Sequence, residues 1–130
     1  MIAHMTTPIL IVDDYNIMVR IVRNLLRQLG FANVDEASDG PAALAKMRAR
    51  PYGLVISNWQ AGAMSGGELV REVRADARLK HTPMLMMTPA EGAQGCAREA
   101  DVSGFLPKPF DAAQLHRQLI AALTFQRAAA

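Results

Sequence analysis

Five short apolar runs alternate with helix-patterned segments along this 130-residue chain, and that alternation predicts an α/β fold with a parallel sheet covered on both faces. Two further observations agree. The runs are continuous (ILIV, LVIS, MLMM) instead of alternating polar and apolar, as strands buried on both faces should be. Polar residues gather just after them, where open α/β sheets place their ligands.

The first strand is read at residues 8–12 (PILIV). A helix follows over 16–29. Met18, Ile21, Val22, Leu25 and Leu29 recur at spacings of three and four, with Arg20, Arg23 and Arg27 largely on the other side. Gly30 closes it, because glycine adopts the left-handed conformation that ends helices. Residues 34–37 form a weak second strand. Gly40-Pro41 opens the second helix, which runs to about Arg48; proline suits a first turn, where its missing N–H has no partner to lose. The third strand spans 53–57 and the third helix 67–75. The fourth strand spans 83–87. Residues 91–100 form a weaker helix, since Gly92 and Gly95 each cost about 1 kcal/mol relative to alanine. A short fifth strand covers 104–106. Asp111 caps a last helix through about Phe125, with Gln114 three residues on and a stripe of Leu115, Leu119, Ile120 and Leu123. Five such units make a flavodoxin-like (βα)5 layout: a doubly wound, five-stranded parallel sheet of order 2-1-3-4-5 with helices on both faces.

Composition narrows the class. A chain this long buries a core without staples. Its single cysteine, Cys96, excludes an internal disulfide, and a cytoplasmic protein is expected. No apolar run reaches spanning length, so no membrane partner is expected. The net charge is only +2 and the arginines are scattered (Arg20 to Arg117), so a nucleic-acid surface is not expected either. His4-Met5 looks like a cloning remnant. Residues 1–6 carry no structural weight, one domain spans 7–125, and 126–130 form a frayed tail.

The predicted strand ends gather one constellation. The first ends in Asp13-Asp14, the third in Ser57-Asn58, the fourth in Met87-Thr88, and the fifth leads to Lys108-Pro109-Phe110. Adjacent carboxylates repel unless a cation lies between them, so Mg²⁺ suits the pair. Lys108 is the natural counter-charge, and Thr88 donates well to an oxyanion. Together they suit a phosphoryl group. Singly, each has a plainer role: Asp14 as a helix cap, Thr88 and Lys108 as surface residues. His4, His81 and His116 lie far apart and read as surface residues.

The motifs ILIVDD, LVIS-N-W, MLMMT and GFLPKPF, in this order and spacing, resemble response-regulator receiver domains of the CheY type over residues 8–123. VRNLLRQLGFANVDEASDG extends the likeness. In that family a phosphohistidine of a histidine kinase passes its phosphoryl group to an aspartate ending the third strand. The resemblance implies Asp13, Asp14 and Gln60 as the Mg²⁺ set, with Asp14 the direct ligand. It implies Thr88 as the switch hydroxyl, Lys108 as the conserved-type lysine, Phe105 as the switch aromatic, and a cis bond at Lys108-Pro109.

Asn58 stands where the family has its acceptor aspartate. A carboxylate oxygen attacks phosphorus to give an acyl phosphate, whereas a neutral amide is a poor nucleophile. No ordinary phosphorylation is expected. Metal binding should weaken as well, because a unit charge at ~4 Å is worth about 4 kcal/mol at an effective dielectric of ~20. Lys108, short of its partner, is expected to turn toward Asp13 or Asp14. Either Asn58 is an engineered knock-out of an ordinary Mg²⁺-dependent receiver, or the chain is a natural pseudo-receiver. The neighbourhood favours the second. The loop Gln60-Ala61-Gly62-Ala63 replaces a methionine-proline type sequence, Pro89 follows Thr88, Phe105 lacks a hydroxyl, and Pro107 precedes Lys108.

Three functions compete. The first is a monomeric, single-domain signalling module, not an enzyme, that binds a protein partner: a histidine kinase, a flagellar switch component or another regulator. Its contacts are expected at the helix around Cys96 and at Phe105. The second is a binder of a phosphate or nucleotide second messenger, held by Arg117 and Arg127, or of a flavin. The third is a phosphatase-like enzyme built on the acidic pair, which lacks a nucleophile.

Overall fold

The computed structural model describes residues 6–61, 64–88 and 102–129. Its elements in chain order are β1 (Ile9–Val12), α1 (Asn16–Gln28), β2 (Val34–Ala37), α2 (Gly40–Ala49) and β3 (Leu54–Asn58). Then come β4 (Gln60–Ala61), β5 (Met64–Ser65), α3 (Gly66–Ala75), β6 (Met84–Thr88), β7 (Gly104–Pro107) and α4 (Ala112–Ala129). The main sheet is parallel, in the order β2-β1-β3-β6-β7. Once the β4–β5 pair is set aside, this is the expected 2-1-3-4-5.

Side chains alternate across each strand and so build two cores. Leu10, Val12, Val55, Met84 and Met86 face α2 and α3, where Ala43, Leu44, Met47, Leu69, Val70 and Val73 meet them. Ile9, Ile11, Leu54, Ile56, Leu85 and Met87 face α1 and α4, packing on Val19, Val22, Leu26, Leu115, Leu119 and Ala122. Each fully buried aliphatic side chain contributes about 1.5–3 kcal/mol. The three central strands supply most of them, which holds their carboxyl ends side by side.

Local signals act as expected at several ends. Gly30 has φ of 96° and its N–H returns to Arg27 O. Asp39 caps α2 by accepting from Ala42 N, with Pro41 in the first turn. Asp111 and Gln114 form reciprocal bonds of 2.8 and 2.9 Å at the start of α4. That helix continues past Phe125 to Ala129.

Two expectations are corrected and one feature is new. The inward stripe of α1 is Val19, Val22 and Leu26, and Ile21 is exposed. The same three-and-four spacing fits two neighbouring stripes, and only packing against the sheet selects one. Asp14 does not cap α1: Tyr15 is the N-cap and no side chain caps it. Finally, the loop after β3 contains a small hairpin, β4 against β5, that composition alone did not announce. The readings that fall on Pro89, Gly92, Gly95 and Cys96 lie outside the described residues.

Candidate functional site

The strand ends come together because neighbouring strands pair in register. Val12 pairs with Ser57, Asn58 with Met87, and Thr88 with Pro107. Backbone bonds carry the ladder past the last side chains. Asp13 N donates to Ala37 O, Trp59 N to Met87 O, and Lys108 N to Thr88 O, at 3.1, 2.9 and 2.8 Å. Residues as far apart in the chain as Asp13 and Lys108 thereby share one floor.

Asn58 is at its centre. Lys108 Nζ donates to Asn58 Oδ1 at 2.9 Å, and Asn58 Nδ2 donates to Asp13 Oδ1 at 3.4 Å. Chemistry fixes this orientation, since an ammonium only donates, so the amide must present its carbonyl to Lys108 and its nitrogen to the carboxylate. The expected turn of Lys108 toward the acidic pair does not occur. The amide has the shape of the carboxylate it stands for and keeps an acceptor in the same place, so the lysine stays.

Asp13 is buried, at 2% exposure, and also accepts from Tyr15 N at 3.1 Å. Burial pushes its carboxyl above the usual carboxylate range. The Tyr15 N–H and the Lys108 charge oppose that rise, and the Asp14 charge adds to it. Its Oδ2 and the Oγ1 of fully buried Thr88 have no hydrogen-bond partner among the described residues. Buried polar atoms of this kind are scarce and mark places where something else is accommodated. Asp14 is exposed at the rim. Phe105 is half-buried against the α2/α3 core. The Lys108-Pro109 bond is cis, as the resemblance implied. Gln60 contributes backbone to β4, and its side chain lies outside what is described.

Two features at the floor escaped the sequence reading. Trp59 packs on the amino end of α3, where a Cβ on Gly67 would lie 2.9 Å from its ring. A Cβ on Gly66 would lie 2.7 Å from Met86 Sδ and 3.0 Å from Asn58 O, so glycine is required for α3 to approach this closely. Ser65 and Glu68 form the capping box that starts α3. The spacing Ser65-x-x-Glu68 is the signal that would have found it. Tyr15, 56% exposed, stands at the mouth beside Asp14.

The donor set fits Mg²⁺ weakly. Asp13 Oδ2 and the neighbouring Asp14 offer two anionic donors just after β1. The third position presents an amide, whose oxygen is held by Lys108 and whose nitrogen repels a cation. No group of three acidic, histidine or cysteine side chains suited to a metal occurs among the described residues. Elsewhere, Arg117 lines a shallow 120 Å³ cavity with Phe105, Phe110 and Gln114. That is well below the ~300 Å³ at which ligand pockets begin. The Arg127 side chain lies outside the described residues. His81 and His116 are exposed and apart from the floor. No helix among the described residues is long and apolar enough to cross a membrane.

The comparisons with known proteins agree with this geometry. The family model "Response regulator receiver domain" matches residues 9–120. The chain is 44% identical over 113 residues to the chemotaxis protein CheY-3 of Vibrio cholerae, covering 85% of this chain and 87% of that protein. It is 45% identical over 114 residues to the chemotaxis protein CheY of Pseudomonas aeruginosa, with 85% and 91% covered. Among solved structures, CheY4 of Vibrio cholerae superposes with a TM-score of 0.81 at 30% identity, covering 91% and 99%. The receiver domain of a Pseudomonas aeruginosa sensor histidine kinase, with a magnesium ion coordinated in its active-site cleft, gives 0.83 at 26%, covering 91% and 98%. The strand-end constellation, the sheet order and these likenesses together make the chain a member of the response regulator receiver family, a CheY-like module of two-component signalling.

Proposed function

We propose that this chain is a pseudo-receiver, a CheY-like regulator that signals through protein contacts without taking a phosphoryl group at its strand-3 position. One observation carries the reading. The residue ending β3 is Asn58, and its amide is already engaged by Lys108 at 2.9 Å and by Asp13 at 3.4 Å. A phosphoryl acceptor needs a nucleophilic oxygen facing the incoming phosphorus. The Asn58 oxygen is uncharged and its lone pairs are directed at an ammonium, so it cannot form the acyl phosphate.

The same bonds replace a signal-dependent contact with a permanent one. Lys108 precedes the turn into α4, and Thr88 ends β6. In a working receiver a bound phosphoryl group would recruit both. Here the lysine is tied to Asn58 and the Thr88 hydroxyl is left for a partner or a water to satisfy. The state of the β6–β7 side is therefore set by sequence and by whichever protein selects it. The chemotaxis relatives support a partner in motility or in kinase regulation, at the cytoplasmic side where such partners act, and the half-buried Phe105 is one residue that could meet it. Asp13 and Asp14, with Gln60 as the family likeness implies, would hold Mg²⁺, which would supply positive charge to the floor. The affinity is low for want of a third carboxylate.

The test is intact mass after incubation with acetyl phosphate and Mg²⁺, run on this chain beside Asn58→Asp. The expected result is no adduct on the given chain. An adduct there would overturn the reading. One phosphoryl group on Asn58→Asp shows that Asp13, Thr88 and Lys108 still form a working pocket. Its absence shows that the loss extends beyond one residue.

A further inference from the structure

We propose that a recess beneath the sheet, between the end of α2 and the turn from α3 to β6, docks an acidic segment of a partner protein through one apolar side chain. The recess has a volume of about 190 Å³. Met47, Leu79 and Pro83 give it a buried apolar base, the half-buried Tyr52 borders it, and Arg78 and His81 stand exposed at its rim. No acidic residue lines it. Gly53 and Pro83, which precede β3 and β6, place it a strand's length from Asn58. The four steps from Leu54 to Asn58 span about 13 Å at ~3.3 Å each. The inference therefore does not depend on how Asn58 is read.

Charge decides the class of partner. The net charge of +2 hides an uneven distribution. Residues 46–82 hold seven of the fourteen Lys and Arg residues but three of the twelve Asp and Glu residues. That segment carries an excess of four positive charges, and the remainder an excess of two negative ones. Folding gathers part of the excess on the α3–β6 turn. The Arg74 guanidinium works inside the turn, donating to Lys80 O at 2.8 Å and to Thr82 O at 2.6 Å. The Asp76 carboxylate is engaged too, accepting from Arg78 N at 2.9 Å and from Arg48 Nε at 3.4 Å. These bonds fix the turn, and buried Leu79 anchors it to the α2/α3 core. By contrast, the side chains of Arg78, Lys80 and His81 make no hydrogen bond or ion pair among the described residues. A rigid turn that presents unpaired basic groups beside an apolar recess attracts negative charge and loses little freedom on binding.

Size and number decide between occupants. Small-molecule pockets begin near ~300 Å³, so this recess takes one side chain and not a whole ligand. A nucleic-acid backbone engages about 6–10 phosphates, and three basic groups on one turn are too few for it. One buried anchor ringed by polar contacts is the arrangement that carries most binding energy in protein interfaces. The Tyr52 ring is held ready for such an anchor. Its hydroxyl donates to Asp35 at 2.5 Å, and the Arg50 guanidinium lies 5.1 Å from its centroid. The acidic residues beside the anchor then meet Arg78, Lys80 and His81, whose exposure leaves these contacts open to screening by salt.

The experiment is titration of the isotope-labelled protein with the peptide acetyl-Glu-Glu-Phe-Glu-Glu-amide, followed by amide shifts in NMR spectra and by calorimetry. The expected result is binding, with shifts clustered at residues 51–53 and 78–83. Replacing the peptide's Phe by Ala weakens binding at least about 5-fold, since the anchor carries the contact. The double variant Arg78→Glu with Lys80→Glu weakens it at least about 10-fold, because like charges then face one another. Both positions are exposed, so the fold is kept. Added salt weakens it as well. The inference is overturned if the peptide at about 1 mM shifts nothing, if the shifts fall on α1 instead, or if the Ala peptide binds as well as the Phe one. A short DNA duplex that displaces the peptide would assign the face to nucleic acid. The same shifts on raising the protein concentration alone would assign it to a second copy. Either result also overturns the inference. The peptide variants are read on the unmodified chain, so a misfolded double variant leaves the test intact.

Discussion

The two ends of the sheet treat their polar groups in opposite ways. Near the amino ends of β2 and β3, Arg50 bonds Asp35 at 2.9 Å, the Tyr52 hydroxyl donates to the same carboxylate at 2.5 Å, and the guanidinium lies 5.1 Å from the Tyr52 ring centroid. Each group there has found a protein partner. At the carboxyl ends, Asp13 Oδ2 and Thr88 Oγ1 have none among the described residues, and the acceptor position is an amide. Satisfied polar clusters rigidify a fold, while unsatisfied ones mark where a ligand or a reaction is accommodated. The contrast teaches that the floor retains the electrostatics of a site even though its central residue lacks the charge.

The contrast can be sharpened first with metal. Asn58→Asp adds a third carboxylate to the floor and should tighten Mg²⁺ by at least ~10-fold, since each ~1.4 kcal/mol of charge stabilisation is a factor of ten. Trp59 is the single tryptophan and adjoins position 58, so its fluorescence is the readout. An unchanged affinity would mean that the acidic pair is not a metal site. A second break is steric. Gly66→Ala places a methyl against Met86 Sδ and the backbone of Asn58 and Trp59, and should cost about 1–3 kcal/mol in urea unfolding. If it is silent, α3 does not press on the floor as described.

The next two predictions set the ends against each other. Tyr52→Phe removes a hydrogen bond to a charged partner and should cost about 1–2 kcal/mol. Thr88→Val removes a hydroxyl with no bond to lose, keeps the shape, and should be neutral or stabilising by up to about 1 kcal/mol. Equal losses in the two variants would erase the distinction between the ends. The smallest effect is alkaline. Burial and the Asp35 carboxylate push the Tyr52 hydroxyl up to about 12 from an ordinary value of 10.0. The folded chain then holds this proton where the unfolded chain has lost it. The stabilisation is complete below pH 10, falls between 10 and 12, and is absent above that. Urea midpoints across this range should decline less for Tyr52→Phe than for the wild type.

Particular residues show what could be read early and what could not. Asp13, Asp14, Asn58, Thr88 and Lys108 were all visible as strand-end residues, because strand ends follow from apolar runs and turn signals, which are local. Lys108 was misjudged. Its partner lies 50 residues away, and charge alone favoured the carboxylates over an amide. Ile21 was misjudged because two stripes of α1 share one periodicity. The β4–β5 hairpin was missed because two-residue strands leave no periodic signal.

By itself, then, the sequence determined the alternation of elements, the start of α2 at Gly40-Pro41, the cap at Asp111, the turn at Gly30, and the loss of the acceptor carboxylate. These are properties of neighbouring residues and of side-chain chemistry. Tertiary structure alone decided which face of α1 is buried, that Gly66 and Gly67 admit α3 against Trp59, and that Lys108 holds the Asn58 carbonyl while Asp13 holds its nitrogen. Those outcomes depend on strand register and on competition among distant groups for one small space, and no local pattern encodes the winner.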